Sequence, residues 1–318
     1  MPRFPQQITL LVAALAGALL QTEALACSSC GCTVSSDWET LGLTSRAGLR
    51  LDLRYDYINQ KQMRHGTGKA SQAQIDAALA ASDINEIEQY TRNQYVTLGA
   101  DYTFNRDWGL NVQLPWIDRK HATLPDGMAP ADTSSDSSIG DIRVLGRYQG
   151  LDSVGLMFGI KLPTGKTDVR FASGDALDRS LQPGSGSTDA LLGLYRLGTL
   201  NRDWDWYVQA IGQAVLSTKS GYRPGNSLNL NGGLRYMELG ALAPQVQLNY
   251  RWVHSDKQDG VVDGNTGGEV LYLSPGATYA IGKSTKVYAF VQLPLYQYAK
   301  GYQLAPYWTA SAGVNLGF

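Results

Sequence analysis

The chain has 318 residues, of which 43% are hydrophobic and 17% charged, with a formal net charge of −1 and with 35 Gly, 18 Tyr and 7 Trp. Near-neutral charge without a Lys/Arg block excludes a nucleic-acid binder, the wealth of aromatics excludes intrinsic disorder, and a single long apolar run excludes a bundle of membrane helices. Few charges combined with much Tyr and Gly point to a surface other than that of a soluble enzyme.

The apolar run is N-terminal. Arg3 precedes the stretch Ile8 to Leu20 (ITLLVAALAGALL), and Ala24-Leu25-Ala26 forms an A-x-A cleavage site. This is the layout of a secretory signal peptide over residues 1–26, and the run is too short to span a bilayer. Immediately behind it comes Cys27-Ser28-Ser29-Cys30-Gly31-Cys32, which holds all 3 Cys of the chain, within an expected periplasmic segment 27–46. Three readings stay open for Cys27, Cys30 and Cys32: a disulfide or redox role, a bound soft metal, or lipidation at Cys27. Gly31 stands where a C-x-x-C-H motif needs His, so haem attachment is not supported. No other cofactor is indicated.

From residue 47 onward the pattern has period two, as in strands with one apolar and one polar face. Leu49, Leu51, Leu53, Tyr55 and Tyr57 alternate with Arg50, Asp52, Arg54 and Asp56, and Val246, Leu248, Tyr250 and Trp252 alternate with Gln247, Asn249 and Arg251. Further strands are predicted near 92–104, 109–117, 139–149, 153–163, 187–198, 204–217, 227–237, 269–281, 286–297 and 307–318. With the first two, this makes twelve. Short links alternate with Gly-, Ser- and Asp-rich loops at 60–89, 119–138, 164–186, 218–226, 255–268 and 298–306. Short turns on one side and long loops on the other predict a single all-β, antiparallel transmembrane β-barrel over 47–318, set in the outer membrane of a Gram-negative bacterium. Within 60–89, Gln72 to Ala81 reads as a short helix able to fold inward as a constriction.

Aromatic residues agree with two interfacial belts. Trp108, Tyr148, Tyr195, Trp204 and Tyr236 fall at the short-turn ends, and Tyr57, Trp116, Trp252, Tyr272 and Trp308 at the loop ends. At the C-terminus, Trp308, Ala310, Ala312, Val314, Leu316 and Phe318 alternate outward. This run resembles the C-terminal signal read by the barrel-assembly machinery, which makes that machinery an expected partner alongside outer-membrane lipid.

The inward positions are polar. They include the cations Arg50, Arg54, Arg143, Arg147, Lys161, Arg235 and Arg251 and the anions Asp52, Asp56, Asp101 and Asp141, seven against four. A mid-bilayer Arg or Lys on the lipid side costs about 2–4 kcal/mol in a barrel, so these groups face water or one another. Two readings follow: an Arg–Asp network bracing a narrow lumen, or a weakly cationic lining that handles anionic or polar solutes. The repeated Gln113-Leu114-Pro115, Lys161-Leu162-Pro163 and Gln292-Leu293-Pro294 are expected to end pairing, because Pro lacks an N–H.

Gly140-Asp141-Ile142-Arg143-Val144-Leu145-Gly146-Arg147-Tyr148, followed by Gly159-Ile160-Lys161-Leu162-Pro163-Thr164-Gly165, resembles the outer-membrane barrel family labelled for the meta pathway of phenol degradation. That family is placed near the fatty-acid-channel type of transporter. The resemblance implies a channel for small molecules, among them aromatic, hydrophobic or anionic solutes, and carries over no substrate residues. A departure is the lack of a long N-terminal plug domain. The alternative from a different class is a redox- or metal-linked barrel that uses the cysteine segment to dock or sheathe a periplasmic electron-transfer protein. A lipid-modifying enzyme around His254 and Ser255 ranks below both: adjacent strand residues point to opposite sides, and His65 and His121 are read as loop residues without partners.

Overall fold

A computed structural model describes residues 47–151 and 154–318. The expected leader 1–26, the segment 27–46 and the three cysteines lie outside the described residues.

The strands follow in chain order as β1 (Gly48–Gly66), β2 (Gly68–Lys69), β3 (Glu86–Thr103), β4 (Trp108–Pro125), β5 (Asp132–Ile139), β6 (Ile142–Leu151), β7 (Val154–Leu162) and β8 (Ser187–Thr199). The second half comprises β9 (Trp204–Thr218), β10 (Tyr222–Arg223), β11 (Ser227–Tyr236), β12 (Leu242–Val253), β13 (Lys257–Gln258), β14 (Val261–Val262), β15 (Gly268–Ile281) and β16 (Thr285–Gly317). Apart from the short β2, β10, β13 and β14, and with β5 and β6 both pairing with β4, each pairs antiparallel with its sequence neighbours, and β16 pairs back onto β1 to close a barrel. The first half of β16 pairs with β15 (Ile281↔Thr285 to Gly268↔Ala299) and its second half with β1 (His65↔Tyr302 to Arg50↔Gly317). The reversal falls at Gly301, whose φ of +57° suits glycine and where a Cβ would meet the Gly264 carbonyl oxygen at 2.6 Å. β5 and β6 are likewise one interrupted stave, β5 lying on the upper and β6 on the lower part of β4. The barrel therefore presents twelve staves.

Alternation sets the two faces. Along β1, Leu53 and Tyr55 are 52% and 41% exposed on the outside, whereas Arg54 and Asp56 are 8% and 1% exposed inside. On a water-soluble protein such a girdle of exposed Leu, Val and aromatics would drive aggregation; here it meets hydrocarbon. Trp108 packs at a tilt beside Tyr148 (4.7 Å), and Trp204 beside Tyr236 (5.0 Å), at the short-turn end, with Tyr57 near Trp308 (5.7 Å) at the other. Tyr195 and Tyr272 do not belong to these belts: both are buried and point inward. Tyr272 shares the inward face of β15 with Ser274 and Thr278, and the register shift beside it leaves its extra residue, Leu295, on β16. The turns at 104–107 and 200–203 are closed by Asn105 and Asn201, whose Oδ1 atoms accept the N–H groups of Trp108 (3.0 Å) and Trp204 (3.2 Å).

Several strands run further than their apolar alternation. β3 and β4 have 18 residues each, against roughly 9–11 needed to cross a bilayer. Much of 60–89 and 119–138, expected as loop, is strand that projects above the membrane, where no apolar outer face is required and the period-two signal fades. The prolines mark irregularities more than ends. Pro115 lies inside β4 where its partner changes from β6 to β5, and Pro294 sits beside the bulge at Tyr272; Pro163 alone follows the end of its strand.

The helix α1 (Gln72–Ala80) forms as predicted, with Ser71 and Gln74 as a capping box. It buries Ile75 and Ala78 against Ile84, Met63, Ile87 and Tyr302, and none of its residues lines the lumen cavity. The segment that folds inward is 163–186.

Candidate functional site

The lower lumen is built from charge pairs. Asp101 on β3 accepts from Arg50 Nη2 (2.8 Å) on β1 and Arg147 Nη1 (3.1 Å) on β6, and both guanidiniums also donate to Thr103 Oγ1 (2.8 and 2.7 Å). Arg54 pairs with Asp56 (2.8 Å), which accepts from Ser311 Oγ (2.6 Å), and Tyr288 donates its hydroxyl to Asp52 (3.1 Å). Arg235 pairs with Asp205 (3.0 Å). Across β9, β11, β12 and β15 an amide ladder runs from Gln209 through Asn231 (2.9 Å) and Asn249 (3.0 Å) to Ser274 (2.6 Å). This satisfies buried polar groups strand by strand, as a dry interior requires.

Facing that network is an apolar wall. Leu145, Met157, Leu191, Tyr195 and Tyr207 form a buried cluster extended by Leu197 and Ile211. Above it lies a cavity of about 220 Å³, lined among others by Leu145, Met157, Ile211, Tyr95, Arg143 and Arg251. Its roof is the inward segment. Arg119 donates to the carbonyl oxygens of Leu181 and Gln182 (3.3 Å to the latter), while the buried Gln182 side chain holds Val169 (2.9 and 3.0 Å) and Leu177 (2.8 Å) of the same segment. Asp141 accepts from the backbone N–H groups of Gly165 and Ser185, both at 3.0 Å, and so ties the base of the segment to the wall.

The charged residues selected from the sequence all face inward, but most are paired. Lys161 bridges Asp141 (3.2 Å) and Asp189 (2.8 Å), joining Arg50, Arg54, Arg147 and Arg235 among the neutralised cations. Arg251 donates to the neutral Asn229 (3.0 Å). Among the described residues no hydrogen bond or ion pair is found for Arg143, which lines the cavity. Among the described residues the cations of the cavity lining are Arg54, Arg119, Arg143, Lys161, Arg179 and Arg251, and the acid is Asp141. The cationic excess read from the sequence is thus confined to the upper cavity. Asp189 and Asp205, missed in the sequence reading, neutralise part of the rest; Trp204-Asp205-Trp206 did carry the alternation that places Asp205 inside.

His254 and Ser255 are not a catalytic pair. His254 packs beside Trp252 (5.3 Å), and Ser255 Oγ donates to the Thr266 carbonyl (2.9 Å). Cys27, Cys30 and Cys32, the tentative metal ligands, lie outside the described residues.

The family model described as "Putative MetA-pathway of phenol degradation" matches residues 67–306. The chain belongs to this family. No curated sequence matches it. Among solved structures, this family member superposes on an outer-membrane channel from Pseudomonas putida F1 with a TM-score of 0.63 at 13% identity, covering 86% of this chain and 97% of that one. Looser likenesses are to the toluene transporter TodX of Pseudomonas putida (TM-score 0.45, 11% identity, 93% of this chain and 99% of that one) and to the monoaromatic hydrocarbon channel CymD (0.44, 10%, 86% and 89%). The fold shared with the first of these is that of a barrel in the outer membrane of Gram-negative bacteria.

Proposed function

We propose that the protein is an outer-membrane channel for small solutes that combine an apolar, aromatic body with an anionic or hydrogen-bonding end. The observation that carries this reading is the upper cavity: Leu145, Met157 and Ile211 offer an apolar wall, and Arg143, free of an acidic partner among the described residues, offers a positive charge beside it. An aromatic ring gains from leaving water along the wall, while a carboxylate or phenolate would find a guanidinium. The family's connection with phenol degradation supports an aromatic solute. The ion-paired lower lumen supplies the bracing role and keeps the pathway narrow.

Arg143→Glu tests this directly. Planar-bilayer recordings under a salt gradient are expected to show an anion preference in the parent protein that falls by about fivefold or more in the variant, the effect of roughly 1 kcal/mol per charge contact at high dielectric. Unchanged ion selectivity would remove Arg143 from the permeation path. The leader, barrel-assembly recognition of Phe318 and the role of the cysteine segment stand as further proposals, the last to be checked by mass spectrometry of the mature N-terminus.

A further inference from the structure

Above the cavity, inside the projecting strands, Glu86, Glu88 and His121 bring three donor atoms within 4.8 Å of one another. A bulge makes this possible. Glu88 faces Thr123 and Tyr90 faces Ala122, which leaves Gln89 as an extra residue in β3. The inserted residue resets the parity, so Glu86 and Glu88 share a face with Thr91, while His121 stands opposite Thr91 on β4.

His121 is fully buried, and its Nδ1 is 2.9 Å from Thr91 Oγ1. Among the described residues its Nε2 has no partner, an orphan in a protein interior where nearly every polar atom is paired. Among the described residues neither glutamate has an ion-pair partner, although Glu88 accepts the N–H of Leu304 (3.3 Å).

We infer that Glu86, Glu88 and His121 form a divalent-cation site of the zinc type, which ties β3 to β4 at the extracellular mouth. One imidazole nitrogen and two carboxylate oxygens are a donor set that suits Zn²⁺, with water in the fourth position. Tetrahedral donors at Zn–N and Zn–O bonds of about 2.0–2.2 Å stand about 3.4 Å apart, so small rotations of the two glutamates close the site. Thr91 is the positioning residue: by engaging Nδ1 it aims Nε2 at the carboxylates. The site adjoins the inward segment, because the His121 ring lies 5.9 Å from that of Phe171.

The test uses the mature chain with Cys27, Cys30 and Cys32 replaced by Ser, stripped by chelator and titrated with zinc against a chromophoric chelator. One equivalent is expected to bind and to raise Tm. His121→Ala and the double variant Glu86→Gln/Glu88→Gln should weaken binding at least tenfold, and Thr91→Val by about 10–100-fold, while circular dichroism reports an intact barrel. Should the serine background fail to fold, X-ray absorption of zinc on the unaltered protein gives the same decision, with a nitrogen and oxygens as ligands at this site and their loss in His121→Ala. No bound equivalent, or equal affinity in His121→Ala, overturns the assignment and leaves a proton shared within the cluster.

Discussion

Asp101→Ala is expected to lower stability by about 3 kcal/mol or more and to raise single-channel conductance. Asp101 is 4% exposed and receives two guanidiniums, Arg50 at 2.8 Å and Arg147 at 3.1 Å. Removing it leaves two largely buried guanidiniums without their shared carboxylate, and breaking a buried pair from one side typically costs 3–5 kcal/mol. The same change deletes the crosslink that joins β1, β3 and β6 across the lower lumen, so the Arg side chains are free to swing aside and admit water. Urea unfolding in vesicles reads the first effect and planar bilayers the second. Asp101→Asn, which keeps one acceptor oxygen, should fall between. A variant as stable and as poorly conducting as the parent would show that this cluster neither braces nor narrows the barrel.

Leu192→Arg carries the second large effect, through the opposite face. Leu192 lies near the middle of β8, is 70% exposed and neighbours the inward Leu191, which is 4% exposed. In water such a residue would be a poor place to look for stability, since exchanging an exposed Leu for Arg is nearly neutral. In a bilayer an Arg at the midplane costs about 2–4 kcal/mol. Unfolding of the variant in vesicles should show a loss of that size, and a change within about 0.5 kcal/mol would place Leu192 in water and contradict the membrane orientation of β8.

The parts of this molecule that were legible from residues alone are those where lipid enforces a pattern. β1 reads as a strand because Leu53 and Tyr55 must face hydrocarbon while Arg54 and Asp56 cannot, and β12 repeats the logic with Leu248 against Asn249. Where both faces are apolar the rule is silent. On β8 and β9, Leu191, Tyr195, Tyr207 and Ile211 face inward beside outward Leu192, Leu194 and Val208, so the apolar wall of the cavity has no distinct signature and Tyr195 was assigned to the belt. Above the membrane the outer face is free of constraint, which hid the long ends of β3 and β4. The Glu86–Glu88–His121 cluster was hidden twice, by that loss of pattern and by the bulge at Gln89, since a single inserted residue turns every later side chain to the other face. His121, read as a loop residue, is strand and fully buried. The inward fold of 163–186 depends on Arg119 and Asp141 meeting backbone groups far along the chain, a long-range satisfaction that composition does not reveal, while Gln182 bonds within the segment.

The central claim is that a small aromatic anion crosses this barrel through a cavity with an apolar wall and a cationic rim. Its most direct measurement is the initial rate at which proteoliposomes holding the purified protein take up benzoate, compared with an uncharged sugar of similar size. The account predicts protein-dependent benzoate entry that outpaces the sugar severalfold. Equal rates for the two solutes, or no benzoate entry above that of protein-free vesicles, would contradict it.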